Sequence, residues 1–147
     1  MLIALGAIVW IVLAVFALRG ARWAYAVFVL LGFLWIPART GFHFHPPKCE
    51  LLPSFDLALY SLLNYKHVFL FGVFFVMTRV QLGNRRHALL MAFAATLVMG
   101  VLIELEETLT RTGHCRLRDL VPDSAGAAIG VVIWRVWRGR ESAPSSR

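Results

Sequence analysis

The sequence predicts an all-α, polytopic membrane protein of about five transmembrane helices, with its N-terminus outside and its C-terminus inside. Three observations carry that expectation. The composition is 59% hydrophobic and only 16% charged, against roughly 45–50% and about 25% in soluble domains. The mean hydropathy is +0.71, and the apolar residues lie in long runs rather than dispersed. The basic residues gather in the breaks between those runs. A net charge of +7 would point to nucleic acid in a soluble chain. Here the arginines flank hydrophobic spans, and no basic face with interleaved aromatics exists outside them, so the composition argues against a nucleic-acid partner.

Residues 1–137 read as a single transmembrane domain. The first span is 2–18, apolar throughout and closed by Arg19 and Arg22. It lacks a basic leader and a small-residue cleavage site, so it reads as a retained span rather than a signal peptide. The second is about 23–37, with Trp23 and Trp35 as interfacial aromatics and Pro37 as the stop. Residues 39–65 break the pattern: Pro46, Pro47 and Pro53 make the first part a loop, and Phe55 to Leu63 an amphipathic surface helix. The third span, about 66–79, is short and is expected to borrow turns from the residues before it. Arg79 to His87 reads as a basic turn around Gly83-Asn84. The fourth span is 88–105 and the fifth 120–137, followed by a polar, disordered cytoplasmic tail, 138–147.

Five spans alternate the loops. Arg19, Arg22, Arg79, Arg85, Arg86, Arg135, Arg138, Arg140 and Arg147 then share one side with a single acid, Glu141, while seven of the eight acids fall on the other. The basic side is expected to face the cytoplasm.

The stretch Glu104 to Gly130 concentrates the chemistry. Glu104 and Glu107 stand three apart on one helix face, in line with Gly100 and Arg111. Asp119, Asp123, Gly126 and Gly130 follow at steps of four, three and four, one stripe of a second helix. Gly126 and Gly130 form a small face for close helix packing, and a helix brought close there would also reach the two aspartates. Carboxylates at a membrane boundary are costly unless paired, so these acids are either structural ion pairs or a working site. Arg111, Arg116, Arg118, Lys66 and His67 lie on the same side as available partners. For Lys66 and His67 two readings stand: a cation and proton carrier facing the acids, or a snorkelling lysine and an interfacial histidine. Cys49 and Cys115 both fall in outer loops, where an oxidising compartment favours a disulfide. His43, His45, Cys49, His114 and Cys115 suit zinc by type but lack a recognised ligand spacing, so no metal and no cofactor is expected.

These residues resemble the VanZ-like family of bacterial integral membrane proteins. That family shows Asn or Lys with His before a Phe-rich run, then Glu-x-x-Gln at the end of the next span. A basic segment follows, then Asp-x-x-x-Asn-x-x-Gly-x-x-x-Gly. Asn64, Lys66, His67, Phe69, Phe71 and Gly72 resemble the first element. Glu104 matches the motif glutamate, and Glu107 stands in the place of the glutamine. Arg116 and Arg118 lie in the basic segment, and Asp119, Gly126 and Gly130 match the last element, with Asp123 in place of asparagine. The two acid-for-amide departures raise the need for the arginines as partners. The resemblance spans residues 64–130 and implies a multi-pass protein of the bacterial plasma membrane with a role at the cell envelope. A founding member is associated with glycopeptide resistance.

Three functional classes stay open at this level. The first is binding of an amphiphilic ligand at the outer membrane face: a lipid-linked precursor, a phospholipid or a drug. Arg116 and Arg118 would hold phosphate there, with Glu104, Glu107, Asp119 and Asp123 orienting them beside Lys66 and His67. The second is an enzyme acting on a lipid head group, with Glu104 or Asp119 as general base and His67 or His114 as partner. No nucleophile motif accompanies them, and Ser124 has no visible base. The third is a non-catalytic assembly subunit whose charges hold helices together.

Overall fold

The computed structural model describes residues 2–41, 55–110 and 116–141. Among these the regular elements are six α-helices and one short 3-10 turn. The helices are α1 (Leu2–Leu18), α2 (Arg22–Thr40), α3 (Phe55–Ser61), α4 (Tyr65–Leu82), α5 (Ala88–Leu109) and α6 (Leu120–Glu141). The 3-10 turn, Leu117–Asp119, leads directly into α6. Two helical segments, Ala88–Leu109 and Leu120–Arg138, are long and apolar enough to cross a membrane. The apolar segments Leu5–Leu18 and Arg22–Leu34 are shorter.

Several helix boundaries differ from the sequence reading: α5 runs past 105 to Leu109, α3 closes at Ser61 rather than Leu63, and three others follow. Helix α2 does not stop at Pro37 but continues to Thr40. Proline removes one backbone donor and crowds the turn before it, yet a helix can run on past it. The terminator is Gly41, whose φ of +73° suits the left-handed position that closes a helix. Helix α4 borrows its extra turn from the C-terminal side rather than from the residues before Lys66. It runs through Arg79 to Leu82 and ends where the Gly83 N–H donates to the Val80 carbonyl at 3.1 Å. Before Lys66 the chain is already turning, with the Asn64 N–H on the Ser61 carbonyl at 2.9 Å. The tail, expected to be disordered from 138, stays helical to Glu141; residues 142–147 lie outside the described residues.

Helix α4 is the hub, packing against α1, α2, α5 and α6, while α1 and α2 form a hairpin. One buried cluster joins Leu13, Ala17, Ala24, Phe28 and Met77 between the hairpin and α4. A second joins Phe75, Val76, Ala92 and Ala127 where α4, α5 and α6 meet. Small residues sit at these contacts and let the helix backbones approach closely. A Cβ at Gly72 would lie 3.2 Å from the Gly126 carbonyl oxygen, and one at Gly130 would lie 2.6 Å from the Phe75 ring. Side-chain hydrogen bonds pin the hairpin to α4: the Tyr25 hydroxyl to the Thr78 hydroxyl at 2.9 Å, and Gln81 Nε2 to the Ala17 carbonyl at 2.8 Å. The outward faces carry Ile8, Ile11, Leu30, Leu90, Val98, Val132 and Ile133, all exposed.

Candidate functional site

The close crossing of α4 and α6 decides the site. With no side chain at Gly126, the Val68 carbonyl and the Gly72 nitrogen of α4 lie against it, the nitrogen 3.0 Å from where a Cβ would stand. One turn toward the start of each helix, that approach brings His67 to Asp123. His67 Nδ1 and Asp123 Oδ1 are 3.0 Å apart, and Asp123 is only 1% exposed. Helix α5 closes the third side. A Cβ at Gly100 would strike Asp123 Oδ2 and lie 3.0 Å from the Leu120 side chain, so the glycine makes room for the carboxylate. Replacing Gly100 with alanine is therefore expected to cost about 1–3 kcal/mol, the usual range for overpacking. Thermal unfolding in detergent reads it, and the cost should largely vanish when Asp123 is also alanine, because the two changes share one contact.

One turn further along α5, Glu104 is buried, and its Oε2 accepts the backbone N–H of Arg116 at 2.9 Å. This bond ties the segment entering α6 to the end of α5. Glu107 is half-buried on the same face. The charges of Asp123, Glu107 and Glu104 all act on His67. Asp119 acts on Glu104, Glu107 and Asp123, and Arg116 acts on Glu107. His67, Glu104, Glu107, Arg116, Asp119 and Asp123 thus form one electrostatic cluster at one end of the α4–α5–α6 bundle.

Two other expected residues stand apart from its centre. Lys66 is exposed and makes no ion pair among the described residues. Arg118 contributes its carbonyl to the Ser61 hydroxyl at 3.1 Å, joining α3 to the turn before α6. Arg111, His114 and the proposed Cys49–Cys115 pair lie outside the described residues, as do His43 and His45. Among the described residues no group of three or more His, Cys, Asp or Glu side chains is placed to hold a metal ion. Ser124 spends its hydroxyl on the Leu120 carbonyl at 2.7 Å.

Two features escape a motif-level reading. Glu106 is 3% exposed, and its Oε1 has no partner among the described residues. It stands two positions from Glu104, so it faces roughly the opposite side of α5 and belongs to a different environment. The signal was present in the run Glu104-Leu105-Glu106-Glu107, since three acids in four positions of a helix cannot all share one face. The second feature is an apolar groove between α2, α4 and α5, lined by Phe28, Phe33, Leu70, Phe71, Phe74 and Ile103. Phe71 also stacks on His67, ring centroids 5.8 Å apart, so the groove begins where the polar cluster ends.

Chemically, the geometry holds His67 by one ring nitrogen against a buried carboxylate. Such a partner fixes the ring and its tautomer and leaves Nε2 as the working nitrogen. No family model matches the chain, and no curated protein or solved structure matches it.

Proposed function

We propose that this chain is a five-span, VanZ-like protein of the bacterial plasma membrane that binds an amphiphilic ligand at the outer membrane face. The observation that carries the reading is the abutment of a charged cluster on an apolar groove through Phe71, which touches both. A lipid-linked precursor, a phospholipid or a membrane-active drug has that same division into charged head and apolar chain. Arg116 and Arg118 supply cations for a head-group phosphate, and the carboxylates, with Arg116 acting on Glu107, orient them. The exposed apolar faces of α1, α2, α5 and α6 suit lipid contact, since soluble proteins rarely leave such large apolar patches open.

A second reading is favoured by one specific contact, the His67–Asp123 bond. A histidine oriented by a buried carboxylate is the arrangement that general-base catalysis uses, and a lipid head group reaching Nε2 would meet it. Glu104 and Glu107 are then the acids that, with Asp123, set the charge around that ring.

Complementation of a deletion strain tests the binding reading. Wild type restores tolerance to glycopeptide and lipopeptide antibiotics. Glu104→Gln, and Arg116→Ala together with Arg118→Ala, abolish that protection at normal membrane levels of protein. Unchanged susceptibility across these variants overturns the reading and leaves the charges as structural ion pairs of an assembly subunit.

A further inference from the structure

We propose a second ligand site at the other end of α4: a phosphate-binding site for an anionic phospholipid head group, built from Arg79, Arg138 and Trp134. Arg79 lies twelve residues after His67, so about 18 Å of helix separates this end from the acidic cluster. The sequence pattern marks Arg79 as part of a basic turn, but it is 9% exposed, inside α4. Its guanidinium carbon stands 4.5 Å from the centre of the Trp134 ring, and that of Arg138 stands 5.5 Å from the same centre. Trp134 and Arg138 are one turn apart on α6, so one helix face presents both. Cation–π attraction favours each guanidinium singly. Two like charges on one indole nevertheless repel each other, and the ionised group that acts on Arg79 is Arg138.

The donors of Arg79 give the site its direction. NH1 donates to the Gly83 carbonyl at the end of α4. Nε is buried with no partner among the described residues. The edge formed by Nε and NH2 is the one that grips a phosphate through two parallel hydrogen bonds. Arg138 approaches from α6, with NH2 on the Asn84 side-chain oxygen at 2.9 Å. The acids whose side chains are described, Asp56, Glu104, Glu106, Glu107, Asp119 and Asp123, belong to α3, the end of α5, the 3-10 turn and the start of α6, at the opposite end of the bundle. Glu141, which the sequence places three residues beyond Arg138, is the acid nearest in the chain. A phosphate diester at a membrane surface suits the buried Arg79 guanidinium in charge and shape. Free phosphate shares that chemistry, so the experiment separates the two.

The full-length protein is purified in neutral detergent. Its thermal unfolding is followed while phosphatidylglycerol, phosphatidylcholine or inorganic phosphate is titrated in. Phosphatidylglycerol should stabilise the wild type in a saturable manner that phosphatidylcholine does not reproduce. Arg79→Lys keeps the charge but loses the planar edge, and Arg138→Gln removes the charge at an exposed position. Each should weaken the apparent phosphatidylglycerol affinity by at least about tenfold, the loss of one charge-assisted hydrogen bond. Arg85→Gln, an exposed arginine in the adjoining turn, should change it by less than about twofold if binding is local rather than a general attraction to basic surface. The proposal is overturned by equal stabilisation from phosphatidylcholine, by an unchanged affinity in Arg138→Gln, or by an equal loss in Arg85→Gln. Saturable stabilisation by inorganic phosphate, with none from the lipid, overturns the lipid assignment.

Discussion

Replacing His67 with alanine should destabilise the detergent-solubilised protein by about 3–5 kcal/mol, among the largest losses available to a single substitution in this chain. Asp123 is 1% exposed and holds His67 at 3.0 Å, with Asp119, another acid, acting on it. Without the imidazole, a buried carboxylate stands among like charges with its partner gone. The cost is that of the stranded charge rather than the net worth of the pair. The double variant His67→Leu with Asp123→Leu should therefore regain most of the stability, since an apolar pair of similar volume removes both the charge and its partner. Unfolding curves of the wild type, both single variants and the double variant decide it. A double variant no more stable than His67→Ala would mean that the pair contributes net attraction. In that outcome the stranded-charge account of the loss is wrong. Function read in parallel adds a second axis: a refolded, stable double variant that no longer protects cells assigns the pair to the working site.

Gly126→Leu should cost at least about 3 kcal/mol, at the upper end of what overpacking produces. Its Cβ would meet backbone, not a flexible side-chain tip: the Val68 carbonyl, and the Gly72 nitrogen at 3.0 Å. Backbone inside a helix cannot step aside without moving the whole of α4. The expected result is a forced separation of α4 and α6 that also lengthens the His67–Asp123 contact one turn away. Ile129, on the outward face of the same helix, is exposed. Ile129→Leu should then shift stability by less than about 0.5 kcal/mol, the range for surface positions away from special features. Comparable losses at both positions would show that the crossing is not the tight one described. If Gly126→Leu is fully stable, the geometry that positions the site is refuted.

Much of the helical pattern was legible locally. Leu2 to Leu18 is apolar throughout and is helical over that range. Glu104 and Glu107 share a face because they are three apart, and Asp123, Gly126 and Gly130 share a stripe for the same reason. Ends were less legible. Pro37 is a strong local punctuator, but the turn is closed at Gly41, where the backbone turns left-handed. Arg79 reads as a charge that ends a span, yet it remains in the helix because α6 offers an indole face and Gly83 a carbonyl to receive it. Gly83 stands in that same basic turn, but Trp134 lies on another helix far along the chain, and no local pattern announces it.

Run length and helical period are properties of neighbouring residues, so the sequence by itself determined where most of the helices lie. It also determined that acids, a histidine and glycines occupy polar-ended stripes of three of them. Which stripes meet is a property of the crossing of α4, α5 and α6, and only the tertiary structure decided it. It chose Asp123 as the partner of His67, turned Gly100 into the space that the carboxylate needs, and left Lys66 exposed. The physical reason is the absence of side chains at Gly72, Gly100 and Gly126. Those positions let helix backbones and one carboxylate approach to distances that sequence spacing does not encode.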